Sequence, residues 1–318
     1  MRKSTNEVMV KIPATSANLG PGFDTLGLAL DLYNYVTISW SNKSEIEVNV
    51  EGFGQELMDN QDENMVYHAA RKVLNHCGEN NKGLYIRLEN NIPFCRGLGS
   101  SAAAIVGGAV AANQLIGEPM DKEQLLDLVF DIEGHPDNIF PAMYGGLVVS
   151  SNCGDEKAGE HKYMFKKINL PRELQFLAVI PKDHLDTQMA RQALPKMVKH
   201  SEAVYNLGRV SLLILAFQTA DYNLMHHAMN DCLHEQYRAK LLPGLSEALH
   251  ELRGFSIPSA ISGAGPSVLA VVSSRAEEIK RQIEDIFKRK ELECHTIFLR
   301  PENQGAQIIY QHEDRKRA

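Results

Sequence analysis

The sequence predicts an α+β fold in two domains, and three observations lead there. Short runs alternate apolar and polar residues, and longer runs carry apolar residues at helical spacing, without the strict strand–helix–strand order of a doubly wound sheet. A length of 318 residues suits two domains. The polar stretch 151–161 offers a linker, which divides the chain into 1–160 and 161–318.

Each element has its own signal. Val8 to Pro13 reads as a strand stopped by its proline, and 36–40 and 46–50 alternate as half-buried strands do. Residues 64–77 place Val66, Ala69, Ala70, Val73 and Leu74 at helical spacing, with Gly78 as the stop. Residues 84–88 form a strand. An Ala-rich helix then opens after Gly97 and runs to Leu115, where Gly117-Glu118-Pro119 breaks it. A helix over 122–133 and a turn at 145–150 leading into a strand complete the first half. Beyond the linker the expected elements are a strand at 174–180 and helices at 186–199, 201–220, 221–230 and 245–252. A strand around a glycine turn at 256–273, an amphipathic helix at 276–288 and a final strand at 295–299 close the chain.

Composition excludes several classes. Apolar residues at 44% and charged residues at 23% are ordinary for a soluble globular chain. A net charge of -7 argues against nonspecific nucleic-acid binding. Basic runs such as Lys288-Arg289-Lys290 alternate with acids and read as solvated helix faces. The five cysteines are odd in number and none stands at CxxC spacing, which speaks against a disulfide framework or a zinc site. Free thiols, a polar first segment and the lack of any long apolar run predict a cytoplasmic protein with no membrane partner.

One segment carries the chemistry: Pro93-Phe94-Cys95-Arg96-Gly97-Leu98-Gly99-Ser100-Ser101-Ala102-Ala103. Gly97 and Gly99 let backbone N–H groups approach an anion, and the helix start behind them favours a phosphate. One of the two serine hydroxyls is suited to magnesium. Taken alone, these residues are equally an ordinary capped helix after a tight turn, since they match neither GxGxxG nor the Walker loop. Two further segments put glycines and small hydroxyl residues directly after a strand: Pro13-Ala14-Thr15-Ser16-Ala17-Asn18-Leu19-Gly20-Pro21-Gly22-Phe23-Asp24 and Ile261-Ser262-Gly263-Ala264-Gly265-Pro266-Ser267-Val268.

Together the three segments resemble the signature motifs of the GHMP small-molecule kinases, in order and spacing over nearly the whole chain. Residues 14–30, Glu133-Gly134-His135-Pro136-Asp137-Asn138, 187–195 and 238–244 resemble the branch of that family that acts on L-homoserine. The resemblance implies a GHMP kinase fold, with an N-terminal domain like ribosomal protein S5 domain 2 and a ferredoxin-like C-terminal domain. It implies a phosphotransferase with an alcohol acceptor, using ATP and Mg2+, and a homodimer. Residues 93–103 would cradle the ATP phosphates and Asn64 would touch adenine, unless it is only a helix N-cap. Ser100 and Glu133 would hold magnesium, although a single residue separates Glu133 from His135, fewer than in several members. Arg191 and Arg238 match the pair that grips the substrate carboxylate, a task suited to guanidinium geometry. Asp24 would take the ammonium group with Asn18 beside it; His135, Asn138 and Gly263 would line the site, and Thr187 would lie near the reacting hydroxyl. Asp137 aligns with the base some members use, and both a base and direct proton transfer to phosphate are compatible with a loose transition state. The Gly263-Ala264-Gly265 turn is expected to pack on the phosphate loop. His226 and His227 read as solvated histidines. The rivals are a mevalonate-type member of the family and a noncatalytic nucleotide-binding regulator.

Overall fold

The computed structural model describes residues 5–41, 46–55, 64–79, 82–154, 162–273 and 275–313. Its first sheet is built on two long strands, β1 (Thr5–Ala17) and β2 (Leu26–Ser41), paired antiparallel. β3 (Glu47–Gly52), α1 (Met65–His76) and β4 (Gly83–Asn90) form a strand–helix–strand unit whose strands run parallel. The far half of β2 pairs with β4, and its near end, Leu26 to Leu28, pairs with β5 (Leu147–Asn152). Between them run α2 (Ser100–Leu115), α3 (Lys122–Glu133) and α4 (Pro136–Tyr144). α2 is small and apolar almost all round because it packs on α1, α3, α4 and both long strands at once.

Three features depart from the sequence reading. β1 continues past Pro13 to Ala17: its pairing with β11 (Gln307–Glu313) ends at Lys11, so the proline's missing N–H costs no ladder bond, and a register shift follows it. β10 (Cys294–Leu299) is therefore not the last strand. Ile308-Ile309-Tyr310 carry the β-branched and aromatic signal of β11, which covers the free edge of β1. The proposed linker lies in a hairpin. β5 pairs antiparallel with β6 (Tyr163–Ile168), and residues 155–161 lie outside the described residues. A division at 160 thus leaves β6 and β11 on the wrong side of the first sheet.

The second sheet has the order β10-β7-β9-β8, all antiparallel, from β7 (Gln175–Pro181), β8 (Ser259–Ile261), β9 (Val268–Val272) and β10. This is the expected ferredoxin-like arrangement. Alternation along β7 sorts its residues to two cores: Leu177 and Val179 meet α9 (Leu245–Gly254) and α10 (Ala276–Arg289), while Phe176, Ala178 and Ile180 join the main core with Leu213 and Phe217 of α6 (His200–Thr219). Each fully buried Leu, Val or Phe among these contributes roughly 1.5–3 kcal/mol. The expected helix over 186–199 is only α5 (Thr187–Gln192), because Pro195 disfavours helical backbone in the residue before it. α7 (Tyr222–Ala228) and the single turn α8 (Glu235–Arg238) complete the helices.

Two chain crossings join the sheets, β6 to β7 and β10 to β11. Asn303 on the second accepts from Leu170 N (3.0 Å) and donates to Leu170 O (2.9 Å) on the first. The site lies where the second sheet's glycine turn meets the head of α2.

Candidate active site

α2 begins without a side-chain cap. Its N-cap is Gly99, with φ 70°, whereas α1, α3, α5 and α7 are capped by Asn64, Asp121, Asp186 and Asp221. The first N–H groups of α2 and its dipole therefore remain available to an anion. The glycines are required here. A Cβ on Gly97 would stand 2.1 Å from the Ser262 carbonyl oxygen, and one on Gly99 would stand 1.8 Å from Thr15 Oγ1. Leu98 O accepts from Thr15 N at 3.1 Å, which pins the loop to β1. Arg96 spans to the second domain, donating from Nε to Pro181 O at 3.0 Å.

Glu133, the last residue of α3, sits beside the second serine of the pair. Ser101 Oγ lies 2.8 Å from both carboxylate oxygens. Ser100, expected to share a metal with Glu133, instead turns its Oγ inward, buried and without a partner. Successive side chains on a helix point about 100° apart, so only one of two adjacent serines can face Glu133. Burial raises the pKa of Glu133, and the Ser101 hydrogen bond works against that rise.

A charged corner stands beside the glycine turn. Asn18 Nδ2 donates to Gly263 O (2.8 Å), and Asn18 Oδ1 accepts from Asp24 N (3.0 Å). Arg238 is 2% exposed, yet its guanidinium has only backbone acceptors, Gly263 O at 2.9 Å and Ala190 O at 3.4 Å. Among the described residues no carboxylate stands within salt-bridge range of it. Arg191 forms a two-pronged pair with Asp24, at 2.9 and 3.2 Å. The Phe23 ring lies 5.1 Å from the Arg238 guanidinium carbon and 5.9 Å from that of Arg191.

His135 occupies the N-cap position of α4 without a side-chain capping bond, and its Nδ1 stands 3.0 Å from Arg191 Nη2. A guanidinium only donates, so Nδ1 accepts and the ring is neutral. Burial, then Arg191, lower its pKa in agreement. Asp137 is 4% exposed, and its pKa is raised to about 7, first by burial and then by the Asp24 carboxylate, against the pull of Arg191. Asn138 Oδ1 accepts from Thr15 Oγ1 at 2.8 Å, tying α4 to β1. α4 itself escaped the sequence reading because of its prolines. Pro136 is tolerated in the first turn; Pro141 stands inside the helix, where it provides no N–H for the Asp137 carbonyl.

Not every expected residue joins this cluster. Thr187 is exposed on the first turn of α5, one turn before Arg191. Asn64 accepts from Val66 N (3.0 Å) and Tyr67 N (3.2 Å), the capping alternative. His226 and His227 meet no third ligand: among the described residues no group of three His, Cys, Asp or Glu is placed to hold a metal. The five cysteines are free.

Sequence reasoning gave no individual role to Phe23 or Ser262, although both lay in quoted motifs, and it named Ser100 rather than Ser101 for the metal. Ser262 Oγ donates to Gly97 O and so accepts from Ser16 Oγ at 2.8 Å, which bears out the packing of the third motif on the phosphate loop. Asp231 caps α8 through His234 N and Glu235 N (2.7 and 2.8 Å) and accepts from Asn206 Nδ2 (2.7 Å). His234 in turn donates to Gly20 O (2.8 Å), which seats the loop that carries Asp24. No local sequence signal marks this last pair.

Fold and site define a small-molecule phosphotransferase class, and comparison with known proteins agrees. Residues 64–146 match the family described as GHMP kinases N terminal domain, and residues 213–289 match GHMP kinases C terminal. The chain belongs to the GHMP kinases, and within them to the homoserine kinase family. It is 45% identical over 310 residues to the homoserine kinase of Natranaerobius thermophilus, covering 96% of this chain and 98% of the relative. It is 43% identical over 300 residues to that of Carboxydothermus hydrogenoformans, covering 94% and 96%. The crystal structure of homoserine kinase from Cytophaga hutchinsonii superposes with a TM-score of 0.83 at 28% identity, covering 96% of this chain and 98% of that one. A mevalonate kinase structure, at TM-score 0.69 and 16% identity over 93% and 99% of the two chains, shares the fold.

Proposed function

We propose that the chain transfers the γ-phosphoryl group of ATP to the side-chain hydroxyl of L-homoserine, giving ADP and O-phospho-L-homoserine, a committed step in the threonine branch of amino-acid synthesis. The observation that carries this reading is the double role of one turn. Ser262 bonds the phosphate loop at Gly97, while the next residue, Gly263, accepts from both Arg238 and Asn18. One rigid turn thus holds an anion cradle and a charged amino-acid corner together, and phosphoryl transfer asks chiefly for such alignment.

In this reading the α2 amides orient the triphosphate, Asn64 borders the adenine, and Arg238 with Arg191 takes the substrate carboxylate. Asp24 takes the ammonium group. His135, Asn138 and Thr187 shape the remaining wall. The homoserine oxygen attacks the γ-phosphorus, the bond to the leaving ADP oxygen breaks, and the hydroxyl proton passes to the transferred phosphate or to Asp137. Positioning dominates, and Asp137, raised to about 7, is suited to hold that proton near neutrality.

A magnesium site fits Glu133 and Ser101: a carboxylate poorly served by water, with a hydroxyl on both its oxygens, is a hard-ligand pair that one cation would satisfy. Bound there, the ion would neutralise charge on the β- and γ-phosphates.

A homodimer is supported by α6, which exposes Val204, Leu207, Leu212 and Leu215 beside Tyr205, whose ring is covered by the Arg209 guanidinium. Free cysteines support a reducing cytoplasm as the place of action. Among the described residues no helix is long and apolar enough to cross a membrane.

The test is ADP release in a coupled assay with L-homoserine, mevalonate and galactose as acceptors. Turnover with L-homoserine alone is expected. Turnover with mevalonate alone would move the chain to the hydroxy-acid branch. Nucleotide binding with no phosphorylated product from any acceptor would make it a regulator.

A further inference from the structure

Two residues to which the proposed function gives opposite ends of the substrate are joined to each other. Asp24 accepts from both Nη atoms of Arg191, and Arg191 Nη2 also reaches His135 Nδ1. The side chains of the pair are 39% and 35% exposed, so a ligand can reach them. Arg191 Nε is buried with no partner, and the neighbouring Arg238 has no acidic partner among the described residues. The corner therefore holds one closed ion pair, one buried cation met only by backbone carbonyls, and one idle donor.

Resting on the function proposed above, we infer that the Arg191–Asp24 pair is an exchange latch that opens only for a ligand carrying both an ammonium and a carboxylate group. A carboxylate alone is drawn to Arg238, but to engage Arg191 it must displace Asp24, which is then left without its cation. An ammonium alone meets two guanidinium groups, and taking Asp24 strips Arg191 of its anion. Each half-ligand leaves one ion unpaired in a partly desolvated corner, and that loss is the costly one. A zwitterion re-partners both: its carboxylate takes Arg238 and Arg191, including the idle Nε donor, and its ammonium takes Asp24. A half-exposed pair is weak enough to yield once both halves are re-partnered. Selectivity against hydroxy acids and amino alcohols then comes from a repulsive element already present in the ligand-free protein.

Calorimetric titration of the full chain tests this, with L-homoserine, γ-hydroxybutyrate (no amine) and propanolamine (no carboxylate) as probes. In Asp24→Asn, Arg191 is released. Binding of γ-hydroxybutyrate should then tighten about tenfold relative to the wild type while L-homoserine weakens. In Arg191→Gln, propanolamine should tighten by a similar factor. An Asp24 that only contacts the ammonium group predicts no gain for γ-hydroxybutyrate, and that result, with normal L-homoserine binding by the wild type, overturns the latch alone. Failure of the wild type to bind L-homoserine overturns the latch and the functional reading together. A second measurement needs no variant. The Nε–H NMR signal of Arg191 should move with L-homoserine and stay in place with either half-ligand; equal movement with γ-hydroxybutyrate refutes the latch.

Discussion

The phosphate loop and the amino-acid corner are neighbours built on opposite principles. The loop is main chain: two glycines, an uncapped helix start and hydrogen bonds to β1 and the third motif, with Glu133 at one side. The corner is side chain: Phe23 with Asp24, His135, Arg191 and Arg238, drawn from four segments, with Asp24 and Arg191 167 positions apart and Phe23 and Arg238 farther still. A cradle of backbone suits a ligand part common to many substrates. Charged side chains suit the part that differs. The loop should therefore tolerate almost no change in shape, and the corner should lose substrate affinity while keeping nucleotide affinity.

The sharpest way to break that contrast is Gly97→Val. Its Cβ would collide with the Ser262 carbonyl and push the shared turn aside, so affinities for ATP and L-homoserine should both fall by more than about a hundredfold. Calorimetry showing loss of ATP binding alone would mean that the turn does not couple the two halves. Arg238→Ala comes next. Homoserine binding should weaken by about 2–5 kcal/mol with ATP binding nearly unchanged, and equal losses would remove Arg238 from the corner.

Ser101→Ala should lower kcat by about a hundredfold, as expected for one lost group at a developing charge, whereas Ser100→Ala should cost far less. The reverse order in single-turnover assays would return the metal role to Ser100.

Asp137→Asn should keep measurable turnover, and a fall beyond about ten-thousandfold in a folded variant would make the residue an indispensable base. Its stability effect has a definite sign. The folded-state pKa is raised from 3.8 to about 7, so the folded chain binds the extra proton between these values and wild-type stability falls as pH rises through that window. The variant lacks this term. Its melting temperature relative to the wild type should rise from pH 4 to pH 8.

The smallest expected effect is at Asn64. Asn64→Ala should cost about 1 kcal/mol by removing the α1 cap, and Asn64→Asp should restore it. An unchanged KM for ATP in Asn64→Asp would leave only the capping role.

Much of this was legible in the chain. The span of α3 was read directly and that of α2 came from its loop and breaker, and the third motif's contact with the loop was implied by the family resemblance. Where reading failed, proline was often the reason. Pro13 seemed to end a strand that needed no N–H there, and Pro136 and Pro141 hid α4. β6 and β11 were missed because their partners, β5 and β1, lie across a hairpin and across nearly the whole chain.

Residue types and their near neighbours were enough to establish the two sheets' main strands, the glycine loop at the head of α2 and the family. They could not say which of two adjacent serines faces Glu133, that Asp24 and Arg191 hold each other, or that Asp137 is buried deeply enough to hold a proton near neutral pH. The first group depends on backbone geometry over a few residues, which local chemistry sets. The second depends on the direction of a side chain, on a partner far along the chain and on the exclusion of water, and these exist only once the two domains have closed around one turn.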